Sequence, residues 1–162
     1  MERTLDADLG WLAGIIDGEG SINASIVSCG YARADGTTSQ SVRVAVCIGN
    51  TSESMIGRVM SIASRIGVEC NLHLEGNKGR LGTRPLWMVT FSGAKRSVAL
   101  LEAVLPHLTA KRAQAELGIA ASRHRGKIAK KNGLRVDNDT WLKCQLATLS
   151  TMNKRGVEAT TL

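Results

Sequence analysis

The sequence predicts an α+β fold in which one antiparallel sheet carries helices on one face and leaves the other face open to a ligand. Three observations carry that prediction. A run of apolar residues at helical spacing stops at Gly20, two runs of alternating residues follow, and the helix-strand-strand order then comes a second time. A sheet with one apolar face must bury it, and helices from the same units are the nearest cover. At 162 residues the chain can bury a substantial core. A single domain over 1–162 is expected, with its core at about 5–125 and with 126–162 supplying a basic connection and a C-terminal helix.

The first helix is read from about Asp6 to Asp17, with Leu5, Leu9, Leu12 and Ile16 toward the core. After Gly20, Ile22, Ala24 and Ile26 alternate with Asn23, Ser25 and Val27, as in a half-buried strand. A loop rich in Gly, Asp, Thr and Ser leads to "SVRVAVCIGN", where Val42, Val44, Val46 and Ile48 share one face and Arg43, Ala45 and Cys47 the other. The second helix has Ser52 as N-cap, a stripe of Ile56, Val59, Met60, Ala63 and Ile66, and Gly67 as its stop. Two more strands are expected in "VECNLHLEG" and "PLWMVTFSG", around the turn "NKGRLGTR". A helical region from about Ala94 to His124, broken at Pro106, then gives way to the basic connection "RHRGKIAKKNGLR" and a last helix from about Asn138 to Asn153.

A net charge of +7 and a pI near 9.6 point to a polyanionic partner, nucleic acid before an anionic membrane. Cys29, Cys47, Cys70 and Cys144 form no C-x-x-C pair and are read as small buried hydrophobes in a reducing compartment. His73, His107 and His124 are equally scattered, so no zinc site is expected. No apolar stretch approaches the length of a membrane span, and "MERTLDADLG" lacks the basic-then-apolar order of a secretion signal. An intracellular protein with no membrane partner and no small-molecule cofactor is expected.

"WLAGIIDGEG" poses the chemical problem. It places Asp17 and Glu19 at a helix C-terminus, where unpaired carbonyls already carry partial negative charge. The arrangement is unfavourable unless a cation joins it. Gly10, Ala13, Gly14 and Asp17 also form a face of small or short residues, which costs helix propensity but permits close approach of a second helix.

"LAGIIDGEG" resembles the signature of the LAGLIDADG homing endonucleases, matching it at Leu12, Ala13, Gly14, Ile16, Asp17 and Gly20, with conservative changes at Ile15, Gly18 and Glu19. "LPHLTAKRAQAEL" resembles the stretch that carries the family's active-site lysine, so the resemblance covers roughly residues 5–125. It implies an αββαββα homing-endonuclease fold with a saddle-shaped antiparallel sheet, helices on one face and DNA on the other. The signature helices of two units pack at a dyad, and the acid at the foot of each binds a divalent metal between scissile phosphates. By position in the motif Glu19 is the metal ligand, with the Gly18 carbonyl as a second, and Gly10, Ala13, Gly14 and Asp17 form the dimer interface. Mg²⁺ is the implied cofactor, with Mn²⁺ able to substitute and Ca²⁺ supporting binding without cleavage.

One signature in the chain and two in the site imply a homodimer and a long pseudo-palindromic double-stranded DNA target. The resemblance assigns Lys111 to charge stabilisation and Asn50 to water positioning, although Asn50 is one methylene shorter than the glutamine usual there. Glu19 is likewise longer than the usual aspartate. The face opposite the apolar one puts Asn23, Ser25, Val27, Arg43, Ala45 and Cys47 toward the major groove. Arg33, Gln40, Lys78, Arg80 and Arg84 are candidate loop contacts. Arg112, Arg125, Lys127, Lys130 and Lys131 are candidate phosphate contacts, the last four from a run with six Lys or Arg and no acid between Arg123 and Arg135. The expected function is a site-specific, metal-dependent endodeoxyribonuclease making a staggered double-strand break in intron or intein homing. The alternative is a catalytically silent nucleic-acid-binding relative, such as a splicing maturase or a DNA-binding regulator.

Overall fold

The computed structural model describes residues 4–32, 38–75, 85–132 and 140–154, with backbone alone at 28–32, 38–41 and 125–132. Helix α1 (Leu5–Glu19) starts at Thr4, whose hydroxyl accepts the Ala7 N–H at 3.3 Å. Strands β1 (Gly20–Ala32) and β2 (Thr38–Asn50) follow as an antiparallel pair, with Ile22 opposite Val46 and Ala24 opposite Val44. Helix α2 (Glu53–Arg65) is capped by the Ser52 hydroxyl and leaves through Gly67 at φ +70. The N–H of Val68 bonds the Ala63 carbonyl and that of Gly67 the Ser64 carbonyl, so the two last-turn carbonyls are satisfied by a left-handed exit that glycine adopts without strain. Strands β3 (Asn71–Glu75) and β4 (Leu86–Ser92) complete the sheet, in the order β1-β2-β4-β3, all antiparallel.

Alternation does what the sequence predicts. Ile22, Val42, Val44, Val46 and Ile48 are buried on one side of the sheet, together with Val89 and Phe91 of β4. The helices cover this side: Leu12 and Ile16 from α1, Ile56 and Val59 from α2, and Leu100 and Leu101 from α3 (Ala94–Val104) are each at most 2% exposed. Removing such side chains from water stabilises by about 1.5–3 kcal/mol apiece. Gly93 turns the chain from β4 into α3 at φ +95, and Ser97 locks the corner by donating its hydroxyl to the carbonyls of Val44 (2.6 Å) and Phe91 (3.0 Å). A 3-10 turn at Leu105–His107 marks the break at Pro106.

Several expectations need correction. Leu5 is 41% and Ile26 37% exposed, although Val42, which pairs with Ile26, is buried. The helix after the break, α4 (Arg112–Asn132), runs through most of the stretch read as a basic connection. Gly126 lowers helix propensity there without stopping the helix. Nor does the core end near residue 125: α5 (Thr140–Met152) inserts Leu142 into it, and the Trp141 ring meets His124 of α4 at 4.3 Å. The cysteines are not all buried, since Cys144 is exposed and Cys47 and Cys70 only half-buried. Among the described residues, no helix is long and apolar enough to cross a membrane.

Gly20 is where α1 becomes β1. A Cβ there would lie 2.9 Å from both the Cα and the carbonyl oxygen of Ile16, backbone atoms that cannot move aside cheaply. Gly20→Ala is expected to cost about 1–3 kcal/mol, read as a lower denaturant midpoint at unchanged slope.

Candidate active site

The cation missing from the end of α1 comes from the chain itself. Lys111 Nζ donates to the carbonyl of Ile16 at 2.9 Å and to that of Asp17, while the N–H of Gly20 takes those of Ile15 and Ile16. Asp17 returns the favour at the start of α4. Its carboxylate accepts the Thr109 N–H and hydroxyl and the Lys111 N–H, all at 2.8 Å. Each helix end is thus closed by a side chain from the other, with charge opposed to dipole at both. Burial alone would raise the Asp17 pKa. The N–H groups of Thr109, Lys111 and Ala110 and the Thr109 hydroxyl outweigh it and hold the carboxyl below the usual range. For Lys111, burial pulls the ammonium below the ordinary lysine range while the carboxylates of Asp17 and Glu19 push it back up.

This geometry carries a pH prediction. Asp17 has a folded pKa below its unfolded one, so its contribution to stability is fully present above about pH 4 and is lost as pH falls through the lowered folded value. Asp17→Asn should therefore be less stable than the parent at pH 6. The gap should close on acidification, which unfolding midpoints from pH 6 to pH 2 will check.

The expected interface on α1 also needs correction. Ala13 is fully buried in the core, Asp17 is bound to Thr109 and Lys111, and Gly10 faces His107 of the 3-10 turn. The outward stripe lies round the helix from there. It runs through Ala7, Gly14 and Gly18, all exposed, with half-buried Trp11 beside them under the Arg58 guanidinium at 3.9 Å. A Cβ at Gly14 or Gly18 would meet nothing within 4 Å. On the flank nearer the core, Asp8 is buried and paired with Arg58 and Arg65 of α2.

Glu19 is exposed at the foot of this stripe, in a recess of about 450 Å³ that it shares with Gly18, Ser21, Lys111, Gln114, Asn153 and Lys154. The last two residues arrive from the end of α5 and were not singled out from sequence, because nothing in a C-terminal "MNKR" says that it returns to β1. Asn50 is not part of the recess. Its Oδ1 accepts the Ser52 N–H at 2.8 Å, which makes it a turn residue before α2. Among the described residues no group of three or more His, Cys, Asp or Glu could hold a metal. What one chain offers is one carboxylate and neighbouring backbone oxygens. Such hard oxygen donors suit Mg²⁺ but make only part of a coordination shell.

Asn23 and Ser25 are exposed on the sheet face away from the helices, opposite Ala45 and exposed Arg43, and Val27 and Cys47 share that face. The register of β4 and β3 adds Met88, Thr90 and Ser92, then Asn71, His73 and Glu75. Their parity follows from Val89 and Phe91 pointing to the core. Arg112 is engaged with Glu116 and the Leu105 carbonyl, and Arg123 with Glu102. Arg33, Lys78, Arg80 and Arg84 lie outside the described residues, as do the side chains of Gln40, Arg125, Lys127, Lys130 and Lys131.

Residues 29–104 match the family model of a LAGLIDADG-like domain. The match spans 76 of the 162 residues and carries the same family name as the signature that α1 resembles. The matched segment begins after the signature and ends before Lys111, so separate stretches carry the likeness. The described residues have the fold seen in solved LAGLIDADG homing endonucleases. The homing endonuclease I-CvuI, in complex with the I-CreI target with 2 mM Mg and DNA not cleaved, superposes with a TM-score of 0.68 at 23% identity, covering 98% of this chain and 88% of that one. The archaeal intron-encoded I-Vdi141I, complexed with DNA, gives 0.63 at 14% identity, covering 98% and 91%. Against the meganuclease I-AabMI, bound to uncleaved DNA, the TM-score is 0.59 at 19% identity, and the match covers 93% of this chain but 46% of that one. No curated protein matches the sequence.

Proposed function

We propose that this chain is a divalent-metal-dependent DNA endonuclease whose active centre is assembled from two copies. The observation that carries the reading is the exposed Glu19 carboxylate at the foot of an outward stripe of small residues, in a recess that also holds Lys111 and opens beside the sheet's polar face. Pairing α1 with its copy along Ala7, Gly14 and Gly18 would bring two such carboxylates together and continue the two sheet faces into one surface for a duplex. Glu19 and the Gly18 carbonyl would hold the metal, which when bound supplies Lewis acidity to water and phosphate. The half-match to I-AabMI, a longer chain, fits a unit that works in pairs.

The chain's own residues do the rest. The Lys111 ammonium, anchored on the carbonyls of Ile16 and Asp17, presents fixed positive charge where a phosphate gains negative charge in the transition state. Charge placed in advance needs no reorganisation at the moment of reaction. Arg43 on the open face and Lys154 at the recess add contacts to the phosphodiester backbone and make affinity salt-dependent.

Sedimentation tests the paired arrangement. The parent should sediment as a dimer. Gly14→Leu, which sets a bulky side chain on the stripe, should raise the dimer dissociation constant at least about tenfold, or about 1.4 kcal/mol. A parent that is monomeric even when bound to DNA would remove the two-copy centre.

A further inference from the structure

One residue of the open face is held from both ends. Asn23 Nδ2 donates to Ser21 Oγ at 3.0 Å, and Asn23 Oδ1 accepts from Asn153 Nδ2 at 3.2 Å. The same Asn153 nitrogen donates to the Ile22 carbonyl at 2.7 Å. A hydroxyl such as that of Ser21 can donate or accept, so on its own it would not tell the oxygen of a neighbouring carboxamide from its nitrogen. The Ile22 carbonyl can only accept. It therefore fixes which end of Asn153 faces β1, and Asn153, offering N–H, fixes which end of Asn23 faces α5.

We infer that Asn153 is a positioning residue that sets the donor and acceptor order of Asn23, and through it one base preference of the DNA-reading face. A carboxamide has two N–H donors and two acceptor directions. One of each is used within the protein, which leaves Asn23 one donor and one acceptor. That pair matches the N7 acceptor and N6 donor of adenine in the major groove. Without Asn153 the exposed carboxamide turns over at little cost, and the preference fades although Asn23 is still present. The inference rests on the DNA-binding reading above and goes beyond it by naming a residue outside the sheet, near the C-terminal end of the described chain, as a determinant of sequence choice.

The test is selection of duplexes from a random-sequence library in Ca²⁺ by the parent, Asn153→Ala, Asn23→Ala and the double variant, with melting temperature and total affinity measured alongside. The parent should select adenine at one base pair in each half-site. Both single variants should lose at least about fivefold of that preference at that pair while other positions keep theirs, and the double variant should lose no more than either. The inference is overturned if Asn153→Ala keeps the preference, or if it weakens all positions alike with a lower melting temperature, as a mere anchor of α5 would. It is overturned equally if Asn23→Ala selects the parent's sequence. A parent that selects no sequence refutes the DNA-reading function itself, an outcome distinct from parental selection with an unchanged Asn153→Ala profile.

Discussion

Glu19→Gln is expected to abolish cleavage while leaving DNA affinity within about tenfold of the parent. Glu19 is exposed at the end of α1 and contributes nothing to the core, so the substitution removes the charge proposed to hold the metal and leaves the fold intact. The amide keeps the shape of the side chain but is a poor ligand for a hard divalent cation. On the proposed reading, affinity would be carried by the open face and its cations, which the change does not touch. Single-turnover rates on a bound duplex in Mg²⁺, set beside binding constants in Ca²⁺, separate the two effects. A variant that cuts as fast as the parent would remove Glu19 from the metal site.

Lys111→Met should slow the single-turnover step at saturating enzyme by at least about tenfold, with little change in the Ca²⁺ binding constant. It should also lower stability by about 1–3 kcal/mol, because the Asp17 carbonyl loses its Lys111 donor and the Ile16 carbonyl keeps only the Gly20 N–H. The two losses have one origin. The ammonium that closes α1 is the one fixed beside Glu19 in the recess. Loss of an ordinary phosphate contact would do something else, weakening affinity and flattening its salt dependence by about one unit of slope while sparing the rate at saturation. An affinity-only defect would leave Lys111 a structural role alone.

Local pattern and local chemistry made much of this molecule legible in the sequence. Period-two alternation assigned the faces of β1 and β2, and Ser52 and Gly67 bounded α2 through a hydroxyl cap and a left-handed exit. What sequence reading missed depends on meetings between distant segments. The sequence alone places Asp17 at the helix interface because the groups it actually caps, at Thr109 and Lys111, come from the start of α4. Ala13 belonged on paper to a face of small residues, yet whether a small residue borders solvent or core depends on how the helix is rolled against the sheet, which composition does not encode. The basic run after Arg123 reads as a connection, whereas the backbone of α4 continues through it to Asn132. Asn153 carried no signal of its own, since its role exists only once α5 has folded back on β1.

The most direct measurement is a map of cut positions on both strands of the duplex that the parent selects, incubated with Mg²⁺. Two Glu19 carboxylates related by a dyad predict one cut on each strand, staggered and symmetric about the centre of the pseudo-palindrome, with none when the metal is chelated. A duplex that stays bound but uncut in Mg²⁺, or one nicked on a single strand, would contradict an active centre assembled from two copies of this chain.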